Sequence, residues 1–145
     1  MTDKSSYHHA RAEAQKFFRD RKWKPFTFQK NTWDAYQQGK SGLVHAPTGT
    51  GKTYAVWTPA LMEWMTEQKD GKIPKRAPHL RVLWLTPLRA LVEDTTRTLE
   101  ELSAGLSLPW NIQSRTGDTS SSVKAKQSKK SVSYTHLTLP TILRV

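Results

Sequence analysis

Apolar residues recur near helical spacing along Tyr7–Arg21, where Ala10, Ala14, Phe17 and Phe18 stand among charged neighbours, and the spacing predicts an amphipathic helix. Pro25 breaks that run. Phe28–Gln38 reads as a second short helix closed by Gly39. Ser41–His45 is a short apolar run that predicts a strand, followed by a loop over Ala46–Gly51. A third helix is expected from Lys52 to about Gln68, with Trp57, Ala60, Leu61 and Trp64 along one side. Pro59 should kink or shorten it, because proline removes a backbone donor. Lys69–His79, rich in Pro, Gly and Lys, reads as an exposed connection. Arg81–Leu85 predicts a buried strand, and Leu88–Leu102 its helix, with Leu91, Val92, Thr95, Leu99 and Leu102 inward. A further strand covers about Trp110–Ser114, and Trp84 and Trp110 are expected in the core. Strands alternating with helices imply an α/β layer fold on a parallel sheet.

Between the first strand and its helix lies Ala46-Pro-Thr-Gly-Thr-Gly-Lys-Thr53. Gly49 and Gly51 let the backbone approach a polyphosphate and aim N–H groups at its oxygens. The helix N-terminus that follows adds its positive end. Thr48 and Thr50 complete the turn, Lys52 reaches toward β- and γ-phosphates, and the Thr53 hydroxyl suits Mg²⁺. The pattern G-x-x-x-x-G-K-[ST] fails only at its first place, where Ala46 stands.

Phe26-Thr-Phe-Gln29 precedes the second helix. A Gln amide offers an acceptor and donors, so Gln29 can read an adenine edge, with Phe26 or Trp23 stacking on the base. The plainer alternative for Gln29 is a helix-capping polar residue. Thr86-Pro-Leu-Arg-Ala-Leu91 lies at the carboxyl end of a strand, where open parallel sheets bind ligands. Thr86, Pro87 and Arg89 there, and Thr116 and Gly117 of Arg115-Thr-Gly-Asp-Thr119, suit the phosphates of a nucleic-acid strand.

Composition narrows the class. The 145 residues hold 23 Lys and Arg against 12 Asp and Glu, a net charge of +11 that favours a polyanionic partner. Basic clusters at Arg19, Arg21, Lys22 and Lys24, and at Lys124, Lys126, Lys129 and Lys130, read first as solvated charge and add salt-sensitive affinity for nucleic acid. The absence of cysteine excludes disulfides, Cys-based zinc sites and a thiol nucleophile. His8 and His9 have no partners at ligand spacing. The length suits one domain, and no apolar run approaches the roughly 20 residues that cross a bilayer. A cytoplasmic protein with no membrane partner is therefore expected.

Taken in order, Phe26–Gln29, Ala46–Thr53, Thr86–Leu91 and Arg115–Thr119 resemble the start of a superfamily 2 helicase. In detail the chain is similar to ligase-associated DEXH-box helicases, themselves similar to Lhr-type enzymes, from about Phe17 to Lys130. The Ala46 form of the phosphate loop is the one such helicases commonly carry. The resemblance implies a RecA-like P-loop NTPase fold, three-layered on a parallel sheet and incomplete. It also implies ATP and Mg²⁺ as cofactors and translocation on single-stranded DNA, or RNA, in DNA repair. Lys52 and Thr53 would be catalytic, with Thr53 on the metal. Phe26, Gln29, Thr48, Gly49, Thr50, Gly51, Lys52 and Thr53 would hold nucleotide; Thr86, Pro87, Arg89, Thr116 and Gly117 would touch nucleic acid. A DNA ligase and a metal-dependent nuclease are the implied partners.

Two features depart from that pattern. No Asp-Glu-x-His string occurs, so the acidic pair that places metal and water is missing, and ATP turnover is not expected. Val132–Thr141 resembles one reading frame of a sequencing-library transposon adapter, GTC TCT TAT ACA CAT CTG ACG CTG CCG ACG, residue for residue. Its alternation of Val, Tyr, Thr and Leu with polar residues also suits a strand. The expectation is that residues 1–131 are the first part of a helicase ATP-binding domain and 132–145 are adapter-derived. The alternative from another class is a small basic nucleic-acid-binding protein whose loop is only a turn. A small-molecule kinase is disfavoured by the Thr86–Leu91 and Arg115–Thr119 strings.

Overall fold

The computed structural model describes residues 4–68, 81–87, 90–129 and 133–137. They fall into two compact units, Met1–Pro74 with Leu102–Leu108, and Lys75–Glu101 with Pro109–Val145.

The first unit is helical. Helices α1 (Lys4–Asp20), α2 (Thr27–Gln37) and α3 (Lys52–Thr66) form where the apolar spacing predicts them. Both α1 and α2 pack on α3. Phe18 is the hinge of an aromatic cluster, 5.7 Å from Trp33 and 5.8 Å from Tyr54 between ring centroids. Trp33, Leu61 and Met62 are fully buried, and sealing residues such as Leu61 and Met62 contributes about 1.5–3 kcal/mol each. An Arg11–Asp34 ion pair ties α1 to α2, and the Tyr36 hydroxyl donates to Glu63 at 2.8 Å to tie α2 to α3. The Asp34 hydrogen bond holds Arg11 above the usual guanidinium range, and burial pushes the Tyr7 hydroxyl up. Pro59 does not shorten α3, which continues to Thr66. The residue sits in the buried face, and the packing there outweighs the donor it lacks.

Ser41–His45, expected as a strand, has no regular structure, and Leu43 is 93% exposed. No described strand runs beside it, so its apolar side chains and backbone groups have no ladder to join.

The second unit holds a three-stranded sheet of β1 (Leu83–Thr86), β2 (Ile112–Arg115) and β3 (Ser133–Leu137), in the order β1-β3-β2. Both pairings are parallel, with Trp84 and Ser114 each opposite Thr135. Helix α4 (Ala90–Gly105) connects β1 to β2, and α5 (Ser121–Lys129) connects β2 to β3. The central strand is thus the segment set apart by its adapter resemblance, and its backbone pairs on both edges. Strand β1 is less buried than expected, with Leu83 45% exposed. On α4, Val92, Leu99 and Leu102 face inward, whereas Leu91, expected inward, is exposed. The expected connection at Lys69–His79 lies outside the described residues.

Candidate functional site

The phosphate loop rests on two left-handed glycines, Gly49 at φ +78° and Gly51 at φ +81°. An L side chain pays about 1–2 kcal/mol in that region, which explains glycine at both. Gly51 is also the N-cap of α3. Having no side chain, it leaves the Lys52 and Thr53 amides at the helix start uncapped, beside the positive end of the helix. These amides are available to an anion.

The loop is closed by its own residues. Lys52 Nζ donates to the carbonyls of Ala46 and Pro47, both at 2.7 Å, and Thr50 Oγ1 donates to Pro47 at 2.7 Å. A phosphate must therefore compete with two carbonyls for the ammonium. The Thr53 hydroxyl is half-buried and makes no hydrogen bond among the described residues, so its lone pairs suit a hard cation. Among the described residues no group of three or more His, Cys, Asp or Glu stands ready for a metal. The donor set thus fits Mg²⁺ held by Thr53 together with nucleotide oxygens, not a protein cage.

Gln29 is placed differently from the expectation of an open adenine reader. It is buried, its Oε1 accepts the Phe26 amide at 2.8 Å, and its Nε2 donates to the Gly51 carbonyl at 2.9 Å. Three positions into α2, it caps the helix through Phe26 and braces the phosphate loop at once. Its burial closes the amide to an approaching base. Phe26 is 56% exposed and lies flat on Phe28, with centroids 6.0 Å apart and planes 17° from parallel, so one ring face is open to stacking. The helix-capping alternative read from the sequence is what the structure shows for Gln29; the brace on Gly51 was not anticipated.

In the second unit, the parallel sheet brings the carboxyl ends of β1 and β2 to the same edge, with one strand between them. Adjacent strands lie about 4.8 Å apart, so Thr86 and Thr116 leave the sheet roughly 10 Å from each other. Thr86 is buried, which corrects the expectation that its hydroxyl is offered to phosphate; Pro87, next to it, is exposed. Arg89 lies outside the described residues. The Thr116 amide donates to Thr119 Oγ1 at 2.8 Å, and the Gly117 carbonyl accepts from Lys124 Nζ at 3.3 Å. Gly117 itself is exposed, at the head of α5. Among the described residues no helix is long and apolar enough to cross a membrane.

The chain is similar to known helicases. The DEAD/DEAH box helicase family profile matches residues 26–144. The chain is 37% identical over 103 residues to the ATP-dependent helicase Lhr-Core protein 2 of Thermococcus barophilus, covering 64% of this chain and 12% of that protein. It is 32% identical over 121 residues to the ATP-dependent helicase Lhr-Core of Methanocaldococcus jannaschii, covering 76% of this chain and 14% of that one. It thus spans a small fraction of these relatives. A crystal structure of the DUF1998 helicase MrfA bound to DNA and AMPPNP is similar in fold, with a TM-score of 0.67 at 21% identity over 86% of this chain and 16% of that one. The chain has a RecA-like P-loop fold and belongs to the DEAD/DEAH box helicase family.

Proposed function

We propose that residues 1–131 are the nucleotide-binding first part of an ATP-dependent helicase motor acting on single-stranded nucleic acid in DNA repair. The observation that carries this reading is the phosphate loop: Lys52 and two left-handed glycines at the uncapped start of α3. Lys52 leaves the Ala46 and Pro47 carbonyls for the β- and γ-phosphates, and the Lys52 and Thr53 amides receive phosphate oxygens. Thr48 and Thr50, on either side of Gly49, line the nucleotide with the loop glycines. Bound Mg²⁺ supplies charge neutralisation at the phosphates, with Thr53 as its protein ligand. Phe26 stacks on the base, and Gln29 holds Phe26 and the phosphate loop in place beside it. Pro87, Arg89, Thr116 and Gly117 meet the nucleic-acid strand. MrfA, the similar structure, was crystallised with DNA, which supports that assignment. The family resemblance adds a DNA ligase and a metal-dependent nuclease as partners and a cytoplasmic setting. Without an Asp-Glu-x-His string the 145-residue chain binds ATP and does not turn it over.

Titration with a fluorescent ATP analogue in Mg²⁺ tests this. Lys52→Ala should weaken binding at least about tenfold, worth 1.4 kcal/mol, with little change in thermal midpoint. Equal affinity in the variant and the parent overturns the proposal.

A further inference from the structure

The turn joining α1 to α2 carries cations and an aromatic ring that the phosphate loop does not use. It closes α1 by two backbone bonds, Lys22 N to Arg19 O at 2.8 Å and Trp23 N to Phe18 O at 2.9 Å. With the Trp23 ring against Phe18, at 6.4 Å between centroids, this is a Schellman ending. Its left-handed position belongs to glycine in most helices, yet here it is Lys22, at φ +59°. A strained backbone thus sits beneath an exposed cation. Helix-end charge does not require that cation, because Arg19 already occupies the last turn. Arg21 is turned to the core, its guanidinium 3.7 Å from the centre of the Phe17 ring. Arg19, Lys22 and Lys24 point to solvent with a single acid, Asp20, among them. Between these cations Trp23 is 44% exposed, its orientation fixed by Phe18 and by Tyr54 at 5.6 Å.

We infer that the Arg19–Lys24 turn is a contact for single-stranded nucleic acid, in which Arg19, Lys22 and Lys24 meet phosphates and the open face of Trp23 takes a base. Cations alternating with a held aromatic are what a flexible polyanion with stacking faces recognises, without regard to sequence. The rigid turn spares the ordering cost that loose lysines carry. The net charge of +11 draws such a strand in from a distance. This inference stands apart from nucleotide binding at the phosphate loop.

The test uses the full 145-residue chain and a fluorescein-labelled oligothymidylate of about 15 nucleotides, followed by anisotropy over a range of salt without nucleotide. Lys22→Gly removes the charge and relieves the backbone, so it should keep or raise the thermal midpoint while weakening binding about threefold or more. It should also flatten the plot of log affinity against log salt by about 0.7, the share of one phosphate contact on a single strand. Lys24→Gln should flatten it by a similar amount. Trp23→Leu should lower affinity at an unchanged slope, since stacking releases no counterion. Parental affinity and slope in both lysine variants overturn the inference, as does absence of oligothymidylate binding by the parent chain. Loss of ATP-analogue affinity with oligothymidylate binding unchanged assigns the turn to the nucleotide and overturns it as well.

Discussion

Gln29 Nε2 lies 2.9 Å from the Gly51 carbonyl, a hydrogen bond that joins the start of α2 to the last residue of the phosphate loop. The same amide accepts the Phe26 N–H. An exposed aromatic face and the left-handed loop glycine are therefore positioned by one buried side chain. A base held against Phe26 and a phosphate held at Gly51 would be felt through the same amide.

Gly51→Ala should break this relationship. The new Cβ would stand 2.8 Å from Gln29 Nε2, on a backbone at φ +81°. The backbone alone costs about 1–2 kcal/mol, and the contact forces Gln29 off its two bonds. Gly42→Ala is the control, since its Cβ meets nothing within 4 Å. Urea unfolding should show a clear loss for the first variant and a change within about 0.5 kcal/mol for the second. ATP-analogue affinity should fall only for Gly51→Ala.

The helices of the first unit were legible because their apolar spacing is regular, and α1, α2 and α3 differ from expectation by only a few residues. Ser41–His45 was misread because an apolar run says nothing of whether a partner strand lies alongside. The residue types around the phosphate loop were legible too. The Lys52 bonds to Ala46 and Pro47 were not, since a lysine's reach leaves its resting partner open. Thr86 shows the same limit: its position at a strand end could be read, but its burial depends on packing from other elements. Helix α5 was hidden for a different reason. Its first six residues bury no side chain, so no apolar period marks it.

Gly105 closes α4 flush against α1. A Cβ there would lie 2.3 and 2.5 Å from Phe17 Cε2 and Cδ2. Intrinsic propensity favours Ala over Gly in a helix by at most about 1 kcal/mol, less at the final residue. Overpacking a buried ring costs typically about 1–3 kcal/mol, so the clash decides the sign. Gly105→Ala should lower the thermal midpoint, and Gly105→Ala with Phe17→Leu should lose less than the sum of the two single changes. Strict additivity would mean that this contact is not what makes the glycine necessary.

Alkaline pH should destabilise the first unit through Tyr7. Burial raises the folded-state pKa of its hydroxyl above the ordinary 10.0. The unfolded chain then ionises first, so the contribution is complete below about pH 10 and is lost as pH rises through the folded value. Arg11, held above its ordinary value by Asp34, acts in the same sense at still higher pH. Thermal midpoints measured from about pH 8 to 11 should fall for the parent chain and fall less for Tyr7→Phe. Equal slopes for the two would remove Tyr7 as the cause.

Strands β1 and β2 never pair with each other; both rely on β3. Thr135 stands opposite Trp84 on one side and Ser114 on the other, so proline there deletes a donor in the middle of the central strand. Thr135→Pro should cost about 1–3 kcal/mol for the orphaned carbonyl alone, read as loss of the near-ultraviolet signal of Trp84 and Trp110. A sheet that tolerates it does not depend on β3. The second test lies in the gene. We propose that the codons for 132–145 come from an adapter, so chromosomal sequence beyond codon 131 should diverge at once and encode another strand, then an Asp-Glu-x-His segment. That strand must offer backbone N–H and C=O groups on both of its edges and carry no internal proline, because β1 and β2 each pair with it. A chromosome that continues Val132–Thr141 unchanged overturns the adapter origin and makes β3 the native centre of the sheet.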